Sequence, residues 1–279
     1  MTPVPHTQPV VATADKRRLS ATSIKSGGTV HMLQQQIKAE FLKLWRIPAF
    51  SISTILFPVL FFVLFGIPNA RQTTDTGVSV AQIILASLTA YGLMNIALFS
   101  FGVGIAAERG QGWMKLVRAT PMPAWIYFAA KLVMALLFAA AICLLMFPVA
   151  IVGANVRMPT SQWGALLLNL VLGLMPFALI GFAIGYWAGP NSAVPIANVA
   201  GLVLGFGSGL LIPLDGLPAF MQRMAPYLPT YHYGQLVWGA VGVNNGQTST
   251  HLLWLLGTMI VFGLLAVWGY RRDQGKQYG

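Results

Sequence analysis

The stretch Glu108-Arg109-Gly110-Gln111-Gly112-Trp113-Met114-Lys115-Leu116-Val117-Arg118-Ala119-Thr120-Pro121-Met122-Pro123 is a polar island between two long apolar runs. It reads as the turn of a membrane hairpin, the turn itself being a small helix expected over 112–120. Such a helix closes about two turns. It brings Trp113, Leu116 and Val117 onto one face at i, i+3 and i+4, with Lys115 and Arg118 on another. Pro121 and Pro123 stop it, since proline lacks the amide donor and clashes with a continuing helix. Two readings are open. One is a basic loop snorkelling at a lipid surface; the other is an apolar knob, flanked by Arg109, Lys115 and Arg118, that fills a groove on a soluble partner.

The wider composition sets the solvent. Of 279 residues 56% are apolar and 8% charged, with a mean hydropathy of +0.70. Globular proteins carry about a quarter charged residues, so most of this chain is expected to face lipid. The net charge of +11 does not indicate nucleic acid, because the basic residues sit at the ends of apolar runs and in the N-terminal part; anionic headgroups explain them more simply. The single cysteine, Cys143, lies in an apolar run, which excludes a disulfide framework and points to packing.

Outward from the island, six spans are expected at about 50–67, 78–107, 125–152, 163–187, 194–212 and 252–270, each near the length a bilayer core requires. Lys131 is expected to snorkel from the start of the third, and Pro58, Pro148 and Pro176 to kink their spans. Residues 1–30 read as a disordered tail. Residues 31–48 read as an amphipathic interfacial helix, with Leu33, Ile37, Phe41, Leu44 and Trp45 on one face and Trp45 and Arg46 as anchors. The first apolar run begins only near Phe50, too late for a cleaved secretory signal. Residues 213–250 are apolar but broken by Pro218, Pro226 and Pro229. They read as two short helices dipping into the interface, with Tyr227, Tyr231, Tyr233 and Trp238 as an aromatic belt. The architecture expected is therefore an all-α membrane domain over 49–271, followed by a short tail at 272–279.

With the N-terminus inside, Arg71, Arg157 and Arg223 alone fall on the outer side, and the island and both termini become cytoplasmic. No expected span carries a carboxylate, which argues against a proton-coupled carrier. The chain has no phosphate-binding Gly-x-x-x-x-Gly-Lys-Ser/Thr loop and no hydrolase or metal motif. Uphill transport would then need an external engine gripping the island. A passive channel, or a scaffold binding a cytoplasmic regulator, is the alternative.

The island resembles a motif of the membrane subunit of bacterial type-2 ABC exporters, which are related in fold to the human G-subfamily half-transporters. The motif reads Glu-Arg-Glu-x-Gly-Thr-Leu-Lys-x-Leu-Arg-Ala-Thr-Pro-x-Pro; Glu108, Arg109, Gly112, Lys115, Arg118, Ala119, Thr120, Pro121 and Pro123 match, while Gly110 and Trp113 depart. Ile212-Pro213-Leu214-Asp215-Gly216-Leu217-Pro218 followed by Leu228-Pro229-Thr230-Tyr231 resembles the family's second motif, before its last span. The resemblance implies a permease of the plasma (inner) membrane with a coupling helix in the island and a re-entrant pair before the sixth span. It also implies pairing with a second permease as a homo- or heterodimer, and two separate ATPase chains that bind ATP and Mg; no cofactor is expected in this chain. The ATPase-coupling residues are then Glu108, Arg109, Gly112, Trp113, Lys115, Leu116, Val117, Arg118, Thr120 and Pro121. An apolar, charge-free path suits export of an amphipathic, lipophilic or lipid-linked cargo such as a drug, antibiotic, lipid or glycan.

Asn95, Asn169 and Asn198 are amides within spans and read as interhelical hydrogen bonds. The sharper reading places Asn95 and Asn198 on a substrate path between the second and fifth spans, walled by Met94, Phe99 and Phe206. Gly181-x-x-x-Gly185 and Gly201-x-x-x-Gly205 permit close helix approach.

Overall fold

A computed structural model describes residues 28–45, 48–120, 122–243 and 246–275. Most of the expected N-terminal tail, Arg46 and Pro121 lie outside the described residues, as do the side chains of Trp45, Leu116, Val117 and Arg118. Among the described residues there is no strand, only an isolated bridge between Thr73 and Ser79.

Apolar runs of this length must satisfy their backbone groups internally, and they do so as helices. Helix α1 covers Thr29–Trp45 and α2 Pro48–Phe61, the latter continued by a π-helical turn at Phe62–Gly66. Helix α3, Val80–Ala97, runs through a second π-helical segment at Leu98–Val103 into α4, Gly104–Gly110. The short α5, Trp113–Ala119, lies at the turn of the hairpin, and α6, Ala124–Gly153, returns. Helix α7 spans Thr160–Trp187 and α8 Ala193–Gly207. Beyond them come α9, Ala219–Met224, α10, Pro229–Ala240, and α11, Thr248–Gly275.

Among the described residues, four helical stretches are long and apolar enough to cross a membrane: Val80–Gly110, Ala124–Gly153, Thr160–Trp187 and Thr248–Gln274. Two shorter apolar helices, Thr54–Gly66 and Ala193–Gly207, accompany them. Burial separates centre from periphery: 72% of the most apolar window of Val80–Gly110 is enclosed, against 17% for Thr248–Gln274. The Val80–Gly110 helix is the axis around which the others pack.

Glycines let α7 approach this axis closely. A Cβ on Gly181 would lie 2.7 Å from the Ala97 carbonyl oxygen, and one on Gly185 would lie 2.7 Å from that of Phe101. The two glycines sit four residues apart on one face of α7 and fit against the π-helical segment, which is close packing of the kind their spacing suggests.

At the opposite end of α7, α10 is pinned into the bundle. Tyr233 is wholly buried, its ring occupies the space above Gly173, and its hydroxyl donates to the Leu170 carbonyl at 3.1 Å. Asn169 donates to the Leu236 carbonyl, Trp238 to Ser87 Oγ, and Thr230 to the Leu204 carbonyl. This corrects the expected aromatic belt: Tyr227 is exposed, but Tyr233 is a core pin and Trp238 is half-buried against α3. Pro229, expected to break the chain here, instead opens helix α10.

Candidate functional site

The hairpin end is built by a change of direction. Helix α4 closes with Gln111 N–H donating to the Ala107 carbonyl and Gly112 N–H to that of Arg109. Gly112 then takes φ +74°, the left-handed conformation that ends many helices, and a Cβ there would meet nothing within 4 Å. Its requirement is conformational. Gly110 has the opposite need: a Cβ there would fall 2.4 Å from Pro190 Cγ, so it is the absent side chain that lets the α7–α8 turn close on the hairpin.

On the tip, Trp113 is 43% exposed, and Lys115 and Thr120 are exposed, whereas Met114 is buried beneath. Arg109, Gly110, Met114, Lys115, Pro190 and Asp273 are among the residues that line a shallow notch of about 160 Å³ beside the tip.

Glu108 and Arg109, two of the expected coupling residues, turn their side chains back into the bundle. Arg109 Nε and Nη2 donate to Asp273 Oδ1 at 3.1 and 2.7 Å, and Nη1 donates to the carbonyls of Gly185 and Ala188 at 2.7 and 3.3 Å. One guanidinium thus ties the hairpin root to α7 and to the end of α11, using the multi-donor fork that only arginine offers.

Glu108 is 5% exposed and enters a cluster of four charges. Lys131 Nζ donates to Glu108 Oε1 at 2.8 Å and to Glu40 Oε1 at 3.0 Å. Lys43 Nζ bonds the same Glu108 oxygen and lies 3.7 Å from Glu40 Oε2. Tyr127 donates its hydroxyl to Glu108 Oε2, and the Lys131 ammonium sits 4.9 Å from the centre of the Tyr127 ring. Burial alone would lower the Lys43 ammonium, but Glu108 and Glu40 more than offset it and hold its pKa above the ordinary lysine value. The two carboxylates and two ammoniums balance. Isolated, any one of them would be costly to bury.

The expected snorkelling of Lys131 is therefore not what the fold does: the side chain is 2% exposed and locked between carboxylates from α1 and α4. Sequence periodicity did not single out Glu40, Lys43, Tyr127 or Lys131 as one site. The available signals were local, with Glu40 and Lys43 at i, i+3 on α1 and Tyr127 and Lys131 at i, i+4 on α6.

The residues expected on a substrate path are scattered. Met94 is fully enclosed, Phe99 is half-buried, and Asn95 is half-buried with its Oδ1 facing Gly201 of α8 and its Nδ2 donating to the Tyr91 carbonyl. Asn198 and Phe206 lie on the exposed side of α8, whereas Ala197, Gly201 and Gly205 face inward. Asn95 meets α8, but Asn198 does not turn towards it.

Residues 32–241 match the family described as ABC-2 type transporter. The chain is also similar to a Bacillus subtilis (strain 168) protein named "Putative transport permease YvfS", 26% identical over 246 residues that cover 88% of this chain and 99% of that one. The family match extends over most of the chain, from α1 through α10, and the long apolar helices make this a multi-pass membrane protein. The chain belongs to the ABC-2 type transporter family, as a permease subunit.

Proposed function

We propose that this permease is the membrane half of an ATP-driven exporter whose separate ATPase subunit grips the α5 tip. The observation that carries the reading is Trp113: a large aromatic side chain left 43% exposed at the end of a hairpin whose root is clamped by Glu108 and Arg109. An exposed aromatic anchor on a rigid base is the form that binding hot spots take. The adjacent notch and the exposed Lys115 extend the surface, and the basic residues around it favour an acidic rim on the partner. ATP and Mg belong to that partner.

In this reading the spans are six: α2 with its π-helical turn, α3–α4, α6, α7, α8 and α11. Helix α8 is short for the task. Its 15 residues rise about 22 Å against a hydrocarbon core of about 30 Å, and the irregular residues 208–213 complete the crossing. The basic asymmetry puts α5 and both termini in the cytoplasm of a bacterial cell, with α9 and α10 on the outer side of its inner membrane. Two permeases pair, as a homo- or heterodimer, over two ATPase copies. Asn198 and Phe206, on the outer face of α8, then line a path shared with the second subunit. The absence of charge there suits an amphipathic or lipid-linked cargo.

Co-purification of the permease from its native membrane tests the reading. A Walker-motif ATPase should be recovered with it, and Trp113→Ala combined with Arg118→Ala should weaken that association by about 30-fold or more, the loss typical of a hot-spot residue. Unchanged association in the double variant would be incompatible with α5 as the docking element.

A further inference from the structure

The four-charge cluster joins three elements that the transport reading treats separately: α1, the root of the α5 hairpin, and the start of α6. Both oxygens of Glu108 are engaged, Oε1 by Lys43 and Lys131 and Oε2 by Tyr127. Glu108 stands two residues before Gly110 and four before Gly112, where the chain turns into α5. From α1, Glu40 reaches Lys131 and Lys43 reaches Glu108, so α1 is tied to the hairpin root both directly and through α6.

Lys131 cannot swing to water without stranding buried carboxylates, and Glu108 cannot move without dragging Lys43. Packing in such a cluster is bistable rather than elastic: it holds or it breaks. Apolar side chains of the same size would have filled this space without desolvating the three buried charges, Glu40, Glu108 and Lys131. The charges instead make a directional tie.

We propose that Glu40 and Lys43 are positioning residues that lock α1 to the root of the α5 hairpin, so that a displacement imposed on α5 is carried into α1 as one rigid body. This rests on the reading of α5 as the ATPase contact. It assigns to α1 a moving role, beyond that of an anchor lying in the interface.

The discriminating variant is Glu40→Gln with Lys43→Met. It removes one charge of each sign from α1, leaves the Lys131–Glu108 pair balanced and keeps Tyr127 in place. Spin labels at positions 38 and 119, both exposed, on α1 and α5 respectively and outside the proposed coupling residues, report the distance between the two helices in a Cys143→Ala background. The probes are the permease–ATPase complex in lipid nanodiscs without nucleotide and with ATP. In the unaltered cluster the distance distribution should be single and the same in both states. In the double variant, ATPase association and hydrolysis should stay within about twofold, while the distribution broadens and shifts on adding ATP, the loss of coupling expected when a tie between two elements is cut. A nucleotide-dependent distance in the unaltered protein, or an unchanged single distance in the variant, would overturn the proposal. So would a parallel fall of association and hydrolysis, which would mark the cluster as support for the fold alone. If the unaltered permease binds no ATPase, it is the transport reading that fails, and this inference goes with it.

Discussion

Replacing Gly185 by alanine adds one methyl group where the fold has least room for it. The new Cβ would lie 2.7 Å from the Phe101 carbonyl oxygen and 3.0 Å from Ile105 Cβ. Neither is the end of a flexible side chain, so relief requires moving α7 away by about 0.7 Å to reach ordinary contact at 3.4 Å. A gap of about 0.5–1 Å forfeits a quarter to a half of each dispersion well along the seam, and overpacking of this kind costs about 1–3 kcal/mol. The same residue carries a second load, because its carbonyl accepts Arg109 Nη1 at 2.7 Å. Stretching that bond sacrifices part of the 1.5–3 kcal/mol typical of hydrogen bonds to charged groups, for an expected total of about 2–5 kcal/mol. Gly164, in the same helix, is the control. A Cβ there meets nothing within 4 Å, so Gly164→Ala should gain about 0.5–1 kcal/mol from helix propensity. Titration with sodium dodecyl sulfate in mixed micelles, followed by tryptophan fluorescence, should move the two midpoints in opposite directions. A wild-type midpoint for Gly185→Ala, or an equal loss for Gly164→Ala, would refute the account of the α7 seam.

At the other end of α7, a Cβ on Gly173 would lie 1.9 Å from Tyr233 Cε2, so Gly173→Ala should expel the ring and undock α10. Tyr233→Leu should then be less damaging in the alanine background than alone, a coupling of about 1–3 kcal/mol measurable by a double-mutant cycle. His232 packs its ring on Trp254 and holds its Nδ1 2.9 Å from His251 Nδ1 and its Nε2 2.9 Å from the Pro226 carbonyl. Burial, chiefly, depresses its pKa; the Pro226 carbonyl opposes this and His251 adds to it. The unfolded chain therefore takes up a proton that the folded one resists, and stability should fall as pH drops below about 6.5. The same detergent titration at about pH 7.5 and 5.5 should show this fall, and His232→Gln should flatten it.

The hairpin, the apolar helices and the glycine seam were legible in the sequence because each is written in a local period. Trp113 on a short helical face that Pro121 and Pro123 end, and Gly181 and Gly185 four residues apart, need no knowledge of the rest of the chain. The charge cluster was not legible for the converse reason. Lys131 stands 91 residues from Glu40 and 23 from Glu108. Along the chain Lys131 is a single charge near the start of an apolar run, for which snorkelling is the sound expectation. Only packing shows that the charges meet and cancel. Tyr233 was read as interfacial for a similar reason: the cavity that accepts it is the missing side chain of Gly173, 60 residues away. The clamp at Arg109 needed Asp273, which in one dimension was simply the polar end of the last span.

The wide turn at Leu98–Val103 has a consequence for phase. A turn closed by i→i+5 bonds uses one residue more than an α-helical turn, and each residue advances the helix by about 100°. The face that α3 presents to α2 and α10 is thus out of step with the face that α4 presents to α1, α6 and α11. Without that extra residue Glu108 and Arg109 would each point about 100° away from the partners they now hold. Removing one residue anywhere between 98 and 103 would leave the apolar pattern almost unchanged and yet rotate the whole hairpin tip like a key turned in its lock.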